Sequence, residues 1–170
     1  MLWRAAYVGI GSNLDRPASQ VQRALAALPQ LPQTRLVLQS SLYGSKPLGP
    51  AMQPDFVNAV AALLTQLEAP AFFDALRALE VALGREPPRV RWGPRRIDLD
   101  LLVFDAAQFD SPELTLPHPG IVQRNFVLYP LLEVAPELNV PGRGRVAELA
   151  ARVDPAGIWR LDNNPKAHGA

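Results

Sequence analysis

The chain has 170 residues, 48% of them hydrophobic, and a formal net charge of +1. That length predicts a single domain with enough core to fold without cross-links, and the absence of cysteine excludes a disulfide framework and thiolate metal sites. No apolar run approaches the ~20 residues of a membrane span, and a net charge so close to zero argues against general affinity for polyanions.

Residues 3–11 run apolar into Gly-Ser-Asn at 11–13, a core strand and a tight turn. Pro17 opens a helix over 17–28, with Val21, Leu25 and Leu28 at helical spacing. A second strand is predicted over 36–43. The segment 46–54, with Pro47, Gly49, Pro50 and Pro54, reads as a loop whose prolines limit the entropy lost on ordering. A third strand, 56–65, can pair with the second. Residues 70–83 form a helix with Phe72, Phe73, Leu76, Leu79 and Leu83 on one side, closed by Gly84. An arginine-rich loop leads to a strand over 97–104. A short strand at 114–116, a helix over 121–129 interrupted near Pro130 and a short helix over 146–153 complete the body. The domain is expected to span 1–162, with 163–170 a flexible tail. The order is β-α-β-β-α-β, so the expected class is α+β. It is a ferredoxin-like core, an antiparallel sheet with helices packed on one face, plus a C-terminal helical extension.

The chemistry concentrates at 85–100. Arg85, Arg89, Arg91, Arg95 and Arg96 meet one acid, Glu86, before Asp98. On a strand, residues i and i+2 share a face. Asp98 and Asp100 therefore point one way, and Ile97, Leu99 and Leu101 the other. Paired carboxylates repel unless a cation lies between them, and hard oxygen ligands favour Mg²⁺. Guanidinium groups around such an ion suit a polyphosphate, because each grips two oxygens in a planar fork. The combination points to metal-assisted phosphoryl transfer from a nucleotide. The chain lacks a P-loop pattern. A plainer reading makes the aspartates a solvated face or ion-pair partners of Arg95 and Arg96. Two other functional classes also fit a sheet with aromatics and arginines: a nucleic-acid-binding module and a small-molecule-binding regulatory domain without catalysis.

Six motifs occur in order: Gly-Ser-Asn (11–13), Pro-Leu-Gly-Pro (47–50), Gln-Pro-Asp-Phe-Val-Asn (53–58), Arg-Trp-Gly-Pro-Arg (91–95), Asp-Leu-Asp-Leu (98–101) and Leu-Pro-His-Pro (116–119). Each alone is weak; as an ordered set, spanning roughly residues 7–141, they resemble the 6-hydroxymethyl-7,8-dihydropterin pyrophosphokinase family of folate biosynthesis. The resemblance implies transfer of pyrophosphate from ATP to the pterin hydroxymethyl group, with release of AMP. It implies two Mg²⁺ ions on Asp98 and Asp100, with Arg85 and Arg95 as catalytic arginines. By the same resemblance Arg77, Glu80, Arg91, Trp92, Leu101, Thr115, His118 and Arg124 bind ATP. The pterin is expected between Phe56 and Phe126, edged by Asn58 and the backbone near Ser45 and Leu48, with Trp92 closing over it. Relative to that family, Phe56 stands where a tyrosine is common, Pro87 and Pro88 where some relatives carry basic residues, and Glu113 where some have arginine. Gly11–Asn13 is expected to support the pocket rather than bind ligand. The expected partners are ATP and a dihydropterin, with no nucleic acid and no membrane. A monomer in the cytoplasm is the expectation.

Overall fold

The alternating apolar pattern of the first strand and the apolar run of the third place them at the centre of one sheet. The computed structural model describes residues 2–47, 53–85 and 95–161. In chain order these form β1 (Arg4–Ser12), α1 (Pro17–Ala27), β2 (Thr34–Gln39), β3 (Tyr43–Ser45), β4 (Phe56–Thr65), α2 (Ala69–Ala82) and β5 (Asp98–Phe104). After these come β6 (Phe109–Asp110), β7 (Thr115–Leu116), α3 (Asn125–Val134), β8 (Asn139–Val140), β9 (Gly144–Arg145), α4 (Val146–Arg152) and β10 (Ile158–Arg160). The main sheet runs β10-β3-β4-β1-β5, with β2 also paired to β4, and every pairing is antiparallel. β4 separates β1 from β2 and β3, which is the split βαβ arrangement expected of a ferredoxin-like α+β fold.

Helices cover both faces of the sheet, which corrects the expectation of one covered face. Val21, Leu25 and Leu28 from the first helical segment and Phe72 and Leu76 of α2 bury Ala6, Val8, Ile10, Ala61 and Leu63 on one side. On the other, Leu128 and Leu131 of α3 and Val146 and Leu149 of α4 pack on Val60, Ala62, Leu102 and Val103. The helical extension thus supplies a second core, and this explains why β4 is buried without a break from Asn58 to Leu63.

Three further departures have local causes. The strand expected over 36–43 is two strands, because Ser40 intervenes. Its N–H donates to the Val60 carbonyl (2.9 Å), while its hydroxyl oxygen accepts from the Val60 N–H (2.9 Å) in place of a backbone carbonyl. Pro130 does not interrupt α3, which continues to Val134. Its missing N–H removes a helical donor, and burial of Leu131 and Val134 in the second core offsets that loss. Only a 3-10 turn forms over Ile121–Gln123, so the helix starts four residues later than expected. The edge strand β10 was not anticipated. The predicted tail lies outside the described residues, and among the described residues no helix is long and apolar enough to cross a membrane.

β10 docks because Gly44 leaves room for Trp159. A Cβ at position 44 would overlap the indole ring. Gly44→Ala is therefore expected to cost about 1–3 kcal/mol by overpacking, read as a lower Tm. The loss should shrink when Trp159→Ala is added.

Candidate active site

Cross-strand neighbours share a face of a sheet, and this places the chemistry on the α3 side. Gly9 and Gly11 of β1 stand opposite Asp100 and Asp98 of β5, and Gly11 is also paired with Asn58 of β4. The glycines leave space where side chains would otherwise fill the sheet surface. A Cβ at position 11 would sit 3.3 Å from Asn58 Oδ1. Beside this floor opens a cavity of about 300 Å³, whose lining includes Ser45, Phe56, Asn58, Arg95, Asp98 and Asp100. His118, Arg124 and Phe126 complete the opposing wall. Nine of the residues expected to act on substrate thus converge on one space.

The two aspartates sit in different surroundings. Asp98 Oδ1 accepts from Arg85 (2.8 Å) and lies 3.5 Å from Arg95 Nη1. Asp100 has no such guanidinium contact among the described residues, and His118 Nε2 is 3.9 Å from its Oδ1. Burial pushes the Asp100 carboxyl up to about 7, and the neighbouring Asp98 carboxylate adds to the rise, with Arg124 only partly opposing it. Burial also lowers His118 to about 4, helped by Arg124. His118 Nδ1 accepts from the Gly120 N–H (3.1 Å), so in the neutral ring the proton belongs on Nε2, the nitrogen facing Asp100.

These carboxylates suit a divalent cation. They share one face at adjacent i and i+2 positions, and burial with the neighbouring Asp98 carboxylate raises the Asp100 pKa, a penalty that a cation between them would relieve. Among the described residues no cluster of three or more His, Asp or Glu forms a closed metal cage. Hard carboxylate oxygens of this kind are the ligands that suit Mg²⁺.

Arg85 arrives through the end of α2. Gly84 adopts φ +97°, and the Arg85 N–H returns to the Glu80 carbonyl (3.0 Å), closing the helix in a left-handed cap. Burial lowers the Arg85 pKa, yet Asp98 and Glu80 outweigh it and hold the guanidinium charged. Arg95 is fixed by Asn13, whose Oδ1 accepts the Arg95 N–H (2.7 Å) and whose N–H donates to the Arg95 carbonyl (3.0 Å). Asn13 Nδ2 also donates to Gln53 Oε1 (3.0 Å) and to the Pro54 carbonyl (3.1 Å). Of the Gly-Ser-Asn segment, Gly11 and Ser12 belong to β1 rather than to a turn, and Asn13 holds Arg95 at the edge of the pocket.

Some expected ligand residues stand apart. Glu80 is 2% exposed, and its carboxylate is occupied by Arg85 (2.5 Å), Arg77 (2.8 Å) and the Leu99 N–H (2.7 Å). Its side chain braces Arg85 from behind the cavity. The Leu101 side chain is 3% exposed and belongs to the first core, which leaves only its backbone for a nucleotide. Thr115 is half-buried in β7 with its hydroxyl 3.4 Å from the Ser111 carbonyl. Leu48, Arg91 and Trp92 lie outside the described residues, as do Arg89, Pro87 and Pro88. Conversely, Gly9 and Lys46 line the cavity without having been singled out, and Gly11, expected only to support the pocket, lines it as well. Glycines alternating along a strand opposite an Asp-x-Asp strand are a signal that could have found Gly9 and placed Gly11 in the cavity floor.

The chain is similar to known proteins over nearly its whole length. The family model for 7,8-dihydro-6-hydroxymethylpterin-pyrophosphokinase matches residues 7–136. A 2-amino-4-hydroxy-6-hydroxymethyldihydropteridine pyrophosphokinase of Pseudomonas aeruginosa is 50% identical over 155 residues, covering 91% of this chain and 95% of that protein. The Haemophilus influenzae protein of the same name is 44% identical over 144 residues, covering 85% and 89%. A crystal structure of Plasmodium falciparum HPPK-DHPS A437G with pteroate superposes with a TM-score of 0.68 at 12% identity, over 89% of this chain. This chain spans 41% of that longer one, and the likeness bears on the fold alone.

Proposed function

The chain belongs to the 7,8-dihydro-6-hydroxymethylpterin-pyrophosphokinase family, which transfers pyrophosphate from ATP to 6-hydroxymethyl-7,8-dihydropterin and releases AMP in tetrahydrofolate biosynthesis, and from this premise we propose which residues carry the transfer. The observation that carries the assignment is the single cavity joining the Asp98/Asp100 pair and Arg95 to the rings of Phe56 and Phe126. A flat heteroaromatic needs stacking area and hydrogen bonds at its edge. Phe56 and Phe126 supply the first. Asn58 supplies the second, its amide pre-oriented by donation to Ser45 Oγ (2.7 Å).

The hydroxymethyl oxygen attacks the β-phosphorus, and the bond from that phosphorus to the α–β bridging oxygen breaks. The hydroxyl proton passes to solvent, and AMP leaves with the bridging oxygen. Asp98 and Asp100 are the residues that would hold Mg²⁺, in our reading two ions. Magnesium bound there supplies charge neutralisation of the triphosphate and acidification of the attacking hydroxyl. Arg85 and Arg95 stabilise charge on the transferring group and the departing AMP. Arg124 lies 5.8 Å above the Phe126 ring and, with the Nε2–H of His118, faces the phosphates from the other wall. Arg77 reaches the nucleotide from the surface of α2. Arg91, Trp92 and Leu48 complete the ATP and pterin contacts in this reading. In our reading the enzyme acts in the cytoplasm as a monomer, and sedimentation of the purified protein tests the oligomeric state.

The deciding experiment incubates the protein with ATP, Mg²⁺ and 6-hydroxymethyl-7,8-dihydropterin. AMP is expected in step with pterin pyrophosphate, and omission of Mg²⁺ should stop both. ADP as the nucleotide product would overturn β-phosphorus attack.

A further inference from the structure

The two walls expected to hold the pterin come from different elements. Phe126 sits in the first turn of α3, whereas Ser45, Phe56 and Asn58 sit on β3 and β4. The slot between them is therefore only as well defined as the placement of α3 on the sheet. Most of that contact is apolar: Val127, Leu128 and Leu131 against Val60 and Ala62. Apolar burial drives docking without direction and sets neither rotation nor slide closely.

Glu133 provides the direction. Its Oε2 accepts from the Ser41 N–H (2.6 Å) and from the Ser41 hydroxyl (3.2 Å). Its Oε1 accepts from the Tyr43 hydroxyl (2.7 Å) and lies 3.9 Å from Arg160 Nη2 of β10. One carboxylate thus ties α3 to the segment entering β3 and approaches the strand beyond it. Burial, with the carboxylate second, raises the Tyr43 pKa and keeps that hydroxyl a donor. Glu133 lies seven residues, or about 10 Å, from Phe126 along the same face of the helix. Tyr43 is paired with Asn58, and Ser45 with Phe56. The clamp therefore joins the element carrying one wall of the slot to the strands carrying the other.

We propose that Glu133 is a positioning residue for the pterin, its carboxylate setting the spacing and rotation of Phe126 relative to Phe56, Asn58 and Ser45. This rests on the reading of the cavity as a pterin site. Charge-assisted hydrogen bonds are directional and stronger than neutral ones, and a preformed slot lowers the ordering cost of binding. Most of the nucleotide side lies away from this clamp: Asp98 and Asp100 are on β5, Arg85 follows α2 and Arg95 precedes β5, so that only Arg124, at the N-terminus of α3, is carried by the clamped helix.

The test measures dihydropterin affinity at a saturating nonhydrolysable ATP analogue, affinity for the analogue alone, and Tm. Wild type, Glu133→Gln and Glu133→Ala are compared. The Ala variant is expected to bind pterin about tenfold more weakly, a scale set by loss of charge-assisted bonds, with analogue affinity within about twofold. Gln keeps the volume and one acceptor oxygen, but turns an N–H₂ toward the donors on the other side. It should fall between the two and so rescue in part. Should the Ala variant fail to fold, Gln and Tyr43→Phe carry the same comparison. Unchanged pterin affinity in a folded variant, or equal weakening for pterin and analogue, would overturn the proposal. Wild type that binds no dihydropterin would overturn the functional reading itself, and that is seen before any variant is compared.

Discussion

Asp100→Asn is expected to lose AMP formation by on the order of 10³-fold, the scale on which a group stabilising transition-state charge acts, while Tm holds or rises. The two effects separate because of the electrostatics around Asp100. Its carboxyl is held near 7 by burial and then by Asp98, so an uncharged isostere removes a repulsion that the folded state otherwise carries. Asp98→Asn should lose a similar amount of activity for a different structural outcome. Asp98 is bonded to Arg85 at 2.8 Å, and neutralising it leaves that guanidinium with Glu80 as its remaining carboxylate contact among the described residues. Its Tm should therefore fall. Product formation by AMP assay and thermal unfolding of each variant read the two effects independently. A double variant, Asp98→Asn with Asp100→Asn, that kept wild-type turnover would rule out the cation site.

Glu80→Ala is expected to produce the largest loss of stability. The side chain is 2% exposed and serves Arg85, Arg77 and the Leu99 N–H. Removing one partner of a buried ion pair costs about 3–5 kcal/mol, because the other charge and the amide are left uncompensated. For a chain of this size that corresponds to a Tm lower by roughly 10 °C. Glu80→Gln separates structure from catalysis. Its oxygen can still accept from the Leu99 N–H, so most stability should survive, while Arg85 loses a charged anchor. A misplaced catalytic arginine costs about 10²-fold in turnover on the scale of small positioning errors. The Gln variant should therefore show a large fall in kcat with a modest change in Tm. Wild-type kcat in that variant would show that Asp98 alone suffices to place Arg85.

Glu80 and Glu133 show where sequence reading stops. Each is one acid on a helix, and nothing local distinguishes it from a solvated charge. Arg77 and Arg85 are near Glu80 in the chain, but the amide it satisfies is 19 residues away at Leu99, and the partners of Glu133 lie 90 and 92 away at Tyr43 and Ser41. Sequence reading treated Glu80 as a ligand residue and did not single out Glu133. Ser40 is similar: the run 36–43 has strand character throughout, and only the Val60 amide opposite shows that its hydroxyl replaces a carbonyl in the ladder. Pro130 reads locally as a break, yet burial from both sides of the second core carries α3 past it.

By itself the sequence determined the strand that carries the aspartates, their common face, the arginines before it and the glycine that ends α2. Each follows from a period of two or 3.6 or from one residue's backbone freedom, which are properties of the chain over a few bonds. The ordered motifs also determined the family. Tertiary structure alone decided that the second face of the sheet is covered, that Gly9 and Gly11 open the floor under Asp100 and Asp98, and that buried acids set Arg85 and α3. Those outcomes depend on which distant segments meet, and burial energies between distant segments have no local signature.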